Sequence, residues 1–144
     1  RLMQEVQDRY AKIQEEKNAD FSIENGVLKN YKKDEAEVVI PDGVTSIADS
    51  AFEYKQNLRK VVVPEGVVRI GENAFHECKK LSEVVLPSTL SVIGERAFYN
   101  CSNLKVFDWP SALTEIGNYA FSRCNSLYLA YMGQIQVKYV DNVA

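Results

Sequence analysis

VVVPEGVVRIGENAFHECKKLSE, residues 61–83, runs without a gap into VVLPSTLSVIGERAFYNCSNLKV, residues 84–106. The two stretches agree at Val61/Val84, Pro64/Pro87, Ile70/Ile93, Gly71/Gly94, Ala74/Ala97, Phe75/Phe98, Cys78/Cys101 and Leu81/Leu104. Working outward, residues 38–60 and 107–129 keep the same register. Pro41, Pro64, Pro87 and Pro110 are all the prolines in the chain, and they stand 23 residues apart. The same interval places Ile47 and Ile116, Ala51 and Ala120, Phe52 and Phe121, and Leu58 and Leu127 in line with their counterparts. Repetition at such a period specifies stacked supersecondary units, because one short unit cannot bury its apolar face without neighbours.

Each unit opens with a short strand such as Val61-Val62-Val63. Proline then ends it at one level in every coil, since it has no N–H to give a ladder. A second extended piece leads to the isoleucine. Next comes Gly71, Gly94 or Gly117, with Ala48 in the first unit, where the chain is expected to turn. Asp49, Glu72, Glu95 and Asn118 follow and suit the start of a short helical segment. The spacing of Phe75, Cys78 and Leu81 puts them on the inward side of a tight turn or short helix. The expected fold class is an α/β repeat solenoid, with short parallel strands on one side and helical or turn segments on the other.

The ends break the period. Residues 1 to about 18 read as a helix with Leu2, Val6, Tyr10 and Ile13 on one stripe. Because an open solenoid end exposes strand edge and core, residues 1–20 are expected to cap the array. Residues 21–37 contain a hairpin turning at Asn25-Gly26 and lead into the array, and residues 38–129 form the four repeats. Residues 130–144 then supply either a closing strand or a truncated fifth unit. The chain opens on Arg1 and reads as a piece of something longer.

Composition excludes several functions. Lys plus Arg is 17 and Asp plus Glu is 20, for a net charge of -3, which argues against a nucleic-acid partner. No apolar run reaches the roughly 18 residues of a bilayer span, so no membrane insertion is expected. With one histidine, no phosphate-loop motif and no metal-ligand spacing, the expectation is a protein that is not an enzyme and binds no cofactor or metal. The three cysteines, Cys78, Cys101 and Cys124, are expected to be reduced and buried as small hydrophobes. Trp109 occupies an inward strand position and His76 an outward one, predicting a core ring and a solvated imidazole.

The pattern VxxPxxVxxIGxxAFxxCxxLxx resembles the BspA-type leucine-rich repeats, and the FSIENGVLKNY hairpin looks like that family's lead-in. Lys55 at the cysteine position and Ala48 at the glycine position depart from it, both in the first unit. The resemblance implies a right-handed leucine-rich-repeat array in a bacterial surface or secreted protein with a role in adhesion.

Alternation along a strand identifies where a partner would dock. If Val61 and Val63 point in, Val62 and Lys60 point out. That defines one column of Val39, Val62, Val85, Asp108 and Tyr131, and a second of Glu37, Lys60, Glu83, Val106 and Leu129. With Tyr128 these make an apolar strip with a charged margin, which suits a protein partner, host or matrix protein included. The expected function is therefore a non-enzymatic protein-binding module, monomeric, at the cell surface or secreted. A structural spacer and a cytoplasmic interaction scaffold are the alternatives.

Overall fold

The computed structural model describes residues 1–105 and 108–127. Helix α1 (Leu2–Asn18) is followed by a hairpin of β1 (Phe21–Glu24) and β2 (Val27–Tyr31). Each repeat then contributes strands of two or three residues: β3 (Glu37–Val39), β4 (Ser46–Ile47), β5 (Lys60–Val62), β6 (Arg69–Ile70), β7 (Glu83–Val85), β8 (Val92–Ile93) and β9 (Glu115–Ile116). They stack as two ladders. One sheet runs β1-β2-β4-β6-β8-β9, with only the β1–β2 pair antiparallel, and the other runs β3-β5-β7, all parallel. The registers put Ile47, Ile70, Ile93 and Ile116 in one line and Val38, Val61 and Val84 in another.

The third side of each coil is made of tight turns, not helices. Left-handed residues recur twice per unit, at Asn73 and Glu77, Arg96 and Asn100, Tyr119 and Arg123. Positive φ cannot continue a right-handed helix. Bonds of three-residue span remain, from Cys78 N–H to Phe75 O at 3.2 Å and from Leu81 N–H to Cys78 O at 3.1 Å. They turn Phe75, Cys78 and Leu81 inward together. In the first unit the acidic residue after the turn serves the neighbouring coil: Asp49 Oδ1 accepts the Glu72 N–H at 2.8 Å.

Coils also bond to each other along this turn side. The Phe52 N–H donates to Ala74 O at 2.7 Å, Phe75 to Ala97 at 2.7 Å and Phe98 to Ala120 at 2.8 Å. That spacing brings the phenylalanine rings face to face, with centroids 4.9 Å apart for Phe52 and Phe75, 5.1 Å for Phe75 and Phe98, and 5.3 Å for Phe98 and Phe121. All four rings are fully buried, and each contributes roughly 1.5–3 kcal/mol of burial. The hairpin prolongs the same column through Tyr31 and Phe21, each ring 5.2 Å from the next.

The glycine column has a cause other than the expected turn. Gly71, Gly94 and Gly117 have no positive φ, but a Cβ on Gly94 would lie 2.8 Å from Glu72 N, and one on Gly117 2.5 Å from Glu95 N. Glycine is required because successive backbones touch there. Ala48 meets the straight strand of the hairpin, not a full coil, since its N–H donates to Leu28 O at 2.9 Å.

Candidate functional site

The predicted surface lies on the three-stranded ladder. Pairing brings Glu37, Lys60 and Glu83 side by side, and likewise Val39, Val62 and Val85. Inward Val38, Val61 and Val84 are buried, whereas Val39 is 69% exposed, Val85 43% exposed and Val62 half-buried. Lys60 Nζ stands 3.3 Å from Glu83 Oε2. Both groups are open to water, so the pair contributes no more than about 1 kcal/mol and mainly keeps like charges apart. Asp108 is exposed. Val106, Tyr128, Leu129 and Tyr131 fall outside the described residues.

What the ladder offers chemically is a row of branched apolar side chains with a charged margin, held by main-chain bonds on both sides of β5. Among the described residues no group of His, Cys, Asp and Glu is placed to hold a metal ion, and no helix is long and apolar enough to cross a membrane.

The cysteines form an internal column. Each thiol donates to a carbonyl of the preceding coil: Cys78 to Phe52 O and Cys101 to Phe75 O at 3.1 Å, Cys124 to Phe98 O at 3.0 Å. Burial pushes the Cys78 and Cys124 thiols up to about 12, and Cys101 well above its ordinary value. They are free thiols with little thiolate to react. In the first unit Lys55 takes the cysteine position and places its ammonium 5.3 Å from the Tyr31 ring centroid.

Two single-copy residues differ from expectation. Trp109 is partly buried at the margin of the core, edge-on to Phe121 with centroids 5.4 Å apart. His76 is not simply solvated. Its ring stacks on Tyr99 at 5.1 Å, meets Tyr54 edge-on at 5.4 Å, and holds Nδ1 3.1 Å from Glu53 Oε2. Arg123 covers Tyr99 at 5.8 Å and Arg96 covers Tyr119 at 5.1 Å. Glu53, His76 and Tyr99 share one column of the 23-residue register, as do Arg96 and Tyr119, and Tyr54 and Arg123 stand in the column beside His76. The register places these side chains together, but the residue type changes from unit to unit, so no repeated motif marks the patch.

A groove of about 630 Å³ lies at the N-terminal end, between α1 and β3. Tyr10, Gln14 and Asn18 of the helix form one wall, and Val38, Val39 and Ile40 form the other. The remaining apolar residues of the helix stripe stay in solvent, with Leu2 74% and Ile13 49% exposed. Tyr31 borders the groove. Burial first, and then the Glu35 and Asp20 carboxylates, raise its phenol above the ordinary value, against the Glu35 N–H that its oxygen accepts at 3.2 Å.

Residues 22–143 match the BspA type leucine rich repeat region, in six copies. No curated protein matches the chain. Among solved structures, the chain is similar to the leucine rich repeat protein of T. pallidum, with 33% identity and a TM-score of 0.73 over 80% of this chain and 56% of that one. It is also similar to a leucine rich cell surface protein of Faecalibacterium prausnitzii, with 26% identity and a TM-score of 0.59 over 75% of this chain and 39% of that one. The pneumococcal vaccine antigen PcpA aligns at 28% identity with a TM-score of 0.59, over 71% of this chain and 30% of its own. The chain thus spans about half the length of the first of these relatives and less of the other two. Repeat arrays of this kind suggest a module for protein interaction. From the 23-residue register, the stacked ladders and the match over residues 22–143, the chain belongs to the BspA-type leucine-rich repeat family.

Proposed function

We propose that the chain is a non-enzymatic protein-binding module of a cell-surface or secreted protein, and that its partner docks on the three-stranded parallel face. The observation that carries this reading is the exposed column of Val39, Val62 and Val85 beside Glu37, Lys60 and Glu83. Such a strip desolvates at little cost while its charged margin selects the partner. The 23-residue register of the sequence assigns Asp108, Val106, Leu129 and Tyr131 to the same columns, with Tyr128 beside them. A surface location is supported by the relative described as a cell surface protein. Free thiols do not favour the cytoplasm in this chain, since Cys78 and Cys101 are buried and Cys124 is partly buried, which shields them from oxidation in any compartment.

The test is binding to a panel of purified extracellular-matrix and host-surface proteins by the native chain and by a Val62→Lys/Val85→Lys variant. A partner bound by the native chain and lost by a variant of unchanged melting temperature is the expected result. Equal binding by both would remove the face from the account, and binding by neither would favour the spacer reading.

A further inference from the structure

The N-terminal groove has a chemistry of its own. Ile40 N–H donates to Val62 O, and Lys60 N–H to Ala36 O, both at 3.0 Å. In a strand, the N–H and C=O of one residue point the same way and alternate between sides. Residues 36, 38 and 40 therefore face β5, and the main-chain groups of Glu37 and Val39 face the open edge. β3 is the terminal strand of its sheet, so nothing in that sheet pairs with them. Among the described residues, four carboxylates border this edge, from Asp20, Glu35, Glu37 and Asp42, and no Lys or Arg lines the groove. Asp20 has Lys33 at 3.3 Å, and Glu37 has Lys60 beside it across the β3–β5 pair. Along the sheet the charges run Glu37, Lys60, Glu83, so the strand that would continue the alternation beyond Glu37 is basic.

We infer that this groove receives an extended basic-apolar peptide, which adds a strand to the open edge of β3. Main-chain bonds to Glu37 and Val39 supply the pairing, as in other cases of strand addition at a sheet edge. Lysine or arginine side chains on one face of the peptide meet the carboxylates. Branched apolar residues on its other face meet Val38, Ile40 and the Tyr10 ring. The occupant is a segment of another protein, and the groove is separate from the sheet face proposed above.

The experiment is fluorescence anisotropy on the whole chain with a labelled Lys-Val-Lys-Val-Lys-Val-Lys peptide. Its controls are a Glu-Val-Glu-Val-Glu-Val-Glu peptide and a lysine peptide N-methylated at alternate amides. The lysine peptide should bind and both controls should not. Glu37→Lys/Asp42→Lys should weaken binding about tenfold or more, since it places like charges together. Val39→Pro removes the outward N–H while leaving the bonds to β5, and should weaken binding about fivefold or more. Val68→Lys, an exposed residue next to β6 in the other sheet, should leave peptide binding unchanged. Circular dichroism checks that each variant is folded. Equal binding of the acidic peptide, or full binding by the charge-reversed variant, would overturn the inference. So would concentration-dependent dimerisation of the native chain abolished by Glu37→Lys/Asp42→Lys, which would assign the groove to a second copy and its basic cleft of Arg59, Lys80 and Lys105.

Discussion

The phenylalanine column and the N-terminal helix are both periodic and apolar, yet they end in opposite environments. Phe52, Phe75, Phe98 and Phe121 are fully buried, whereas Leu2, Val6, Tyr10 and Ile13 are all exposed. The difference lies in what each element finds beside it. Every phenylalanine meets another coil in the same register, with main-chain bonds of 2.7–2.8 Å fixing the approach. The helix has no such coil beside it, and among its described residues Tyr10, Gln14 and Asn18 line the groove against the array. The hairpin closes the core at this end, because Tyr31 and Phe21 carry the ring column onward. Apolar periodicity therefore announces burial only where a partner of the same period exists.

The largest effect should come from breaking the column at its centre. Phe75→Ala leaves a void between two stacked rings and should cost about 3–5 kcal/mol in urea unfolding. The same measurement on Ile13→Ala should show a change of less than about 0.5 kcal/mol. A comparable loss at Ile13 would mean the helix is packed after all.

The thiol column sharpens the contrast through pH. The folded Cys78 and Cys124 thiols lie at about 12 and Cys101 well above its ordinary 9.0, so the unfolded chain releases these protons first as pH rises. The stability these thiols contribute is then fully present below pH 9 and declines as pH rises above it, by at most about 1.4 kcal/mol per pH unit for each thiol. A chain with all three cysteines changed to alanine should lose that part of the decline, measured by thermal melts from pH 8 to 10.5.

Gly94→Ala should cost about 1–3 kcal/mol, because the added methyl meets the backbone of the coil below. Ala48→Gly in the first unit should cost less than about 1 kcal/mol, the ordinary backbone penalty of glycine. Equal costs at the two sites would show that the glycine column answers to a turn and not to close stacking.

Much of this architecture was legible before any coordinates. The 23-residue interval of proline, isoleucine and phenylalanine specifies a stack, and strand alternation separates outward Val39, Val62 and Val85 from buried Val38, Val61 and Val84. What escaped is what depends on backbone conformation and on residues that change from unit to unit. The left-handed residues that make these segments tight turns, the other of the two expected forms being a short helix, are Ser, Tyr, Asn, Glu and Arg, most of them carrying no strong preference for positive φ. The seating of His76 between Tyr54 and Tyr99 joins three units. The acidic groove exists only because the helix returns across the edge of β3.

Native-state hydrogen exchange tests most directly the claim that a neighbouring coil, and not apolar pattern alone, makes this structure. The amides of Phe52, Phe75 and Phe98 should exchange only through global unfolding, while those of α1 exchange through local opening at far lower cost. Helix amides protected as strongly as the ladder amides would contradict it.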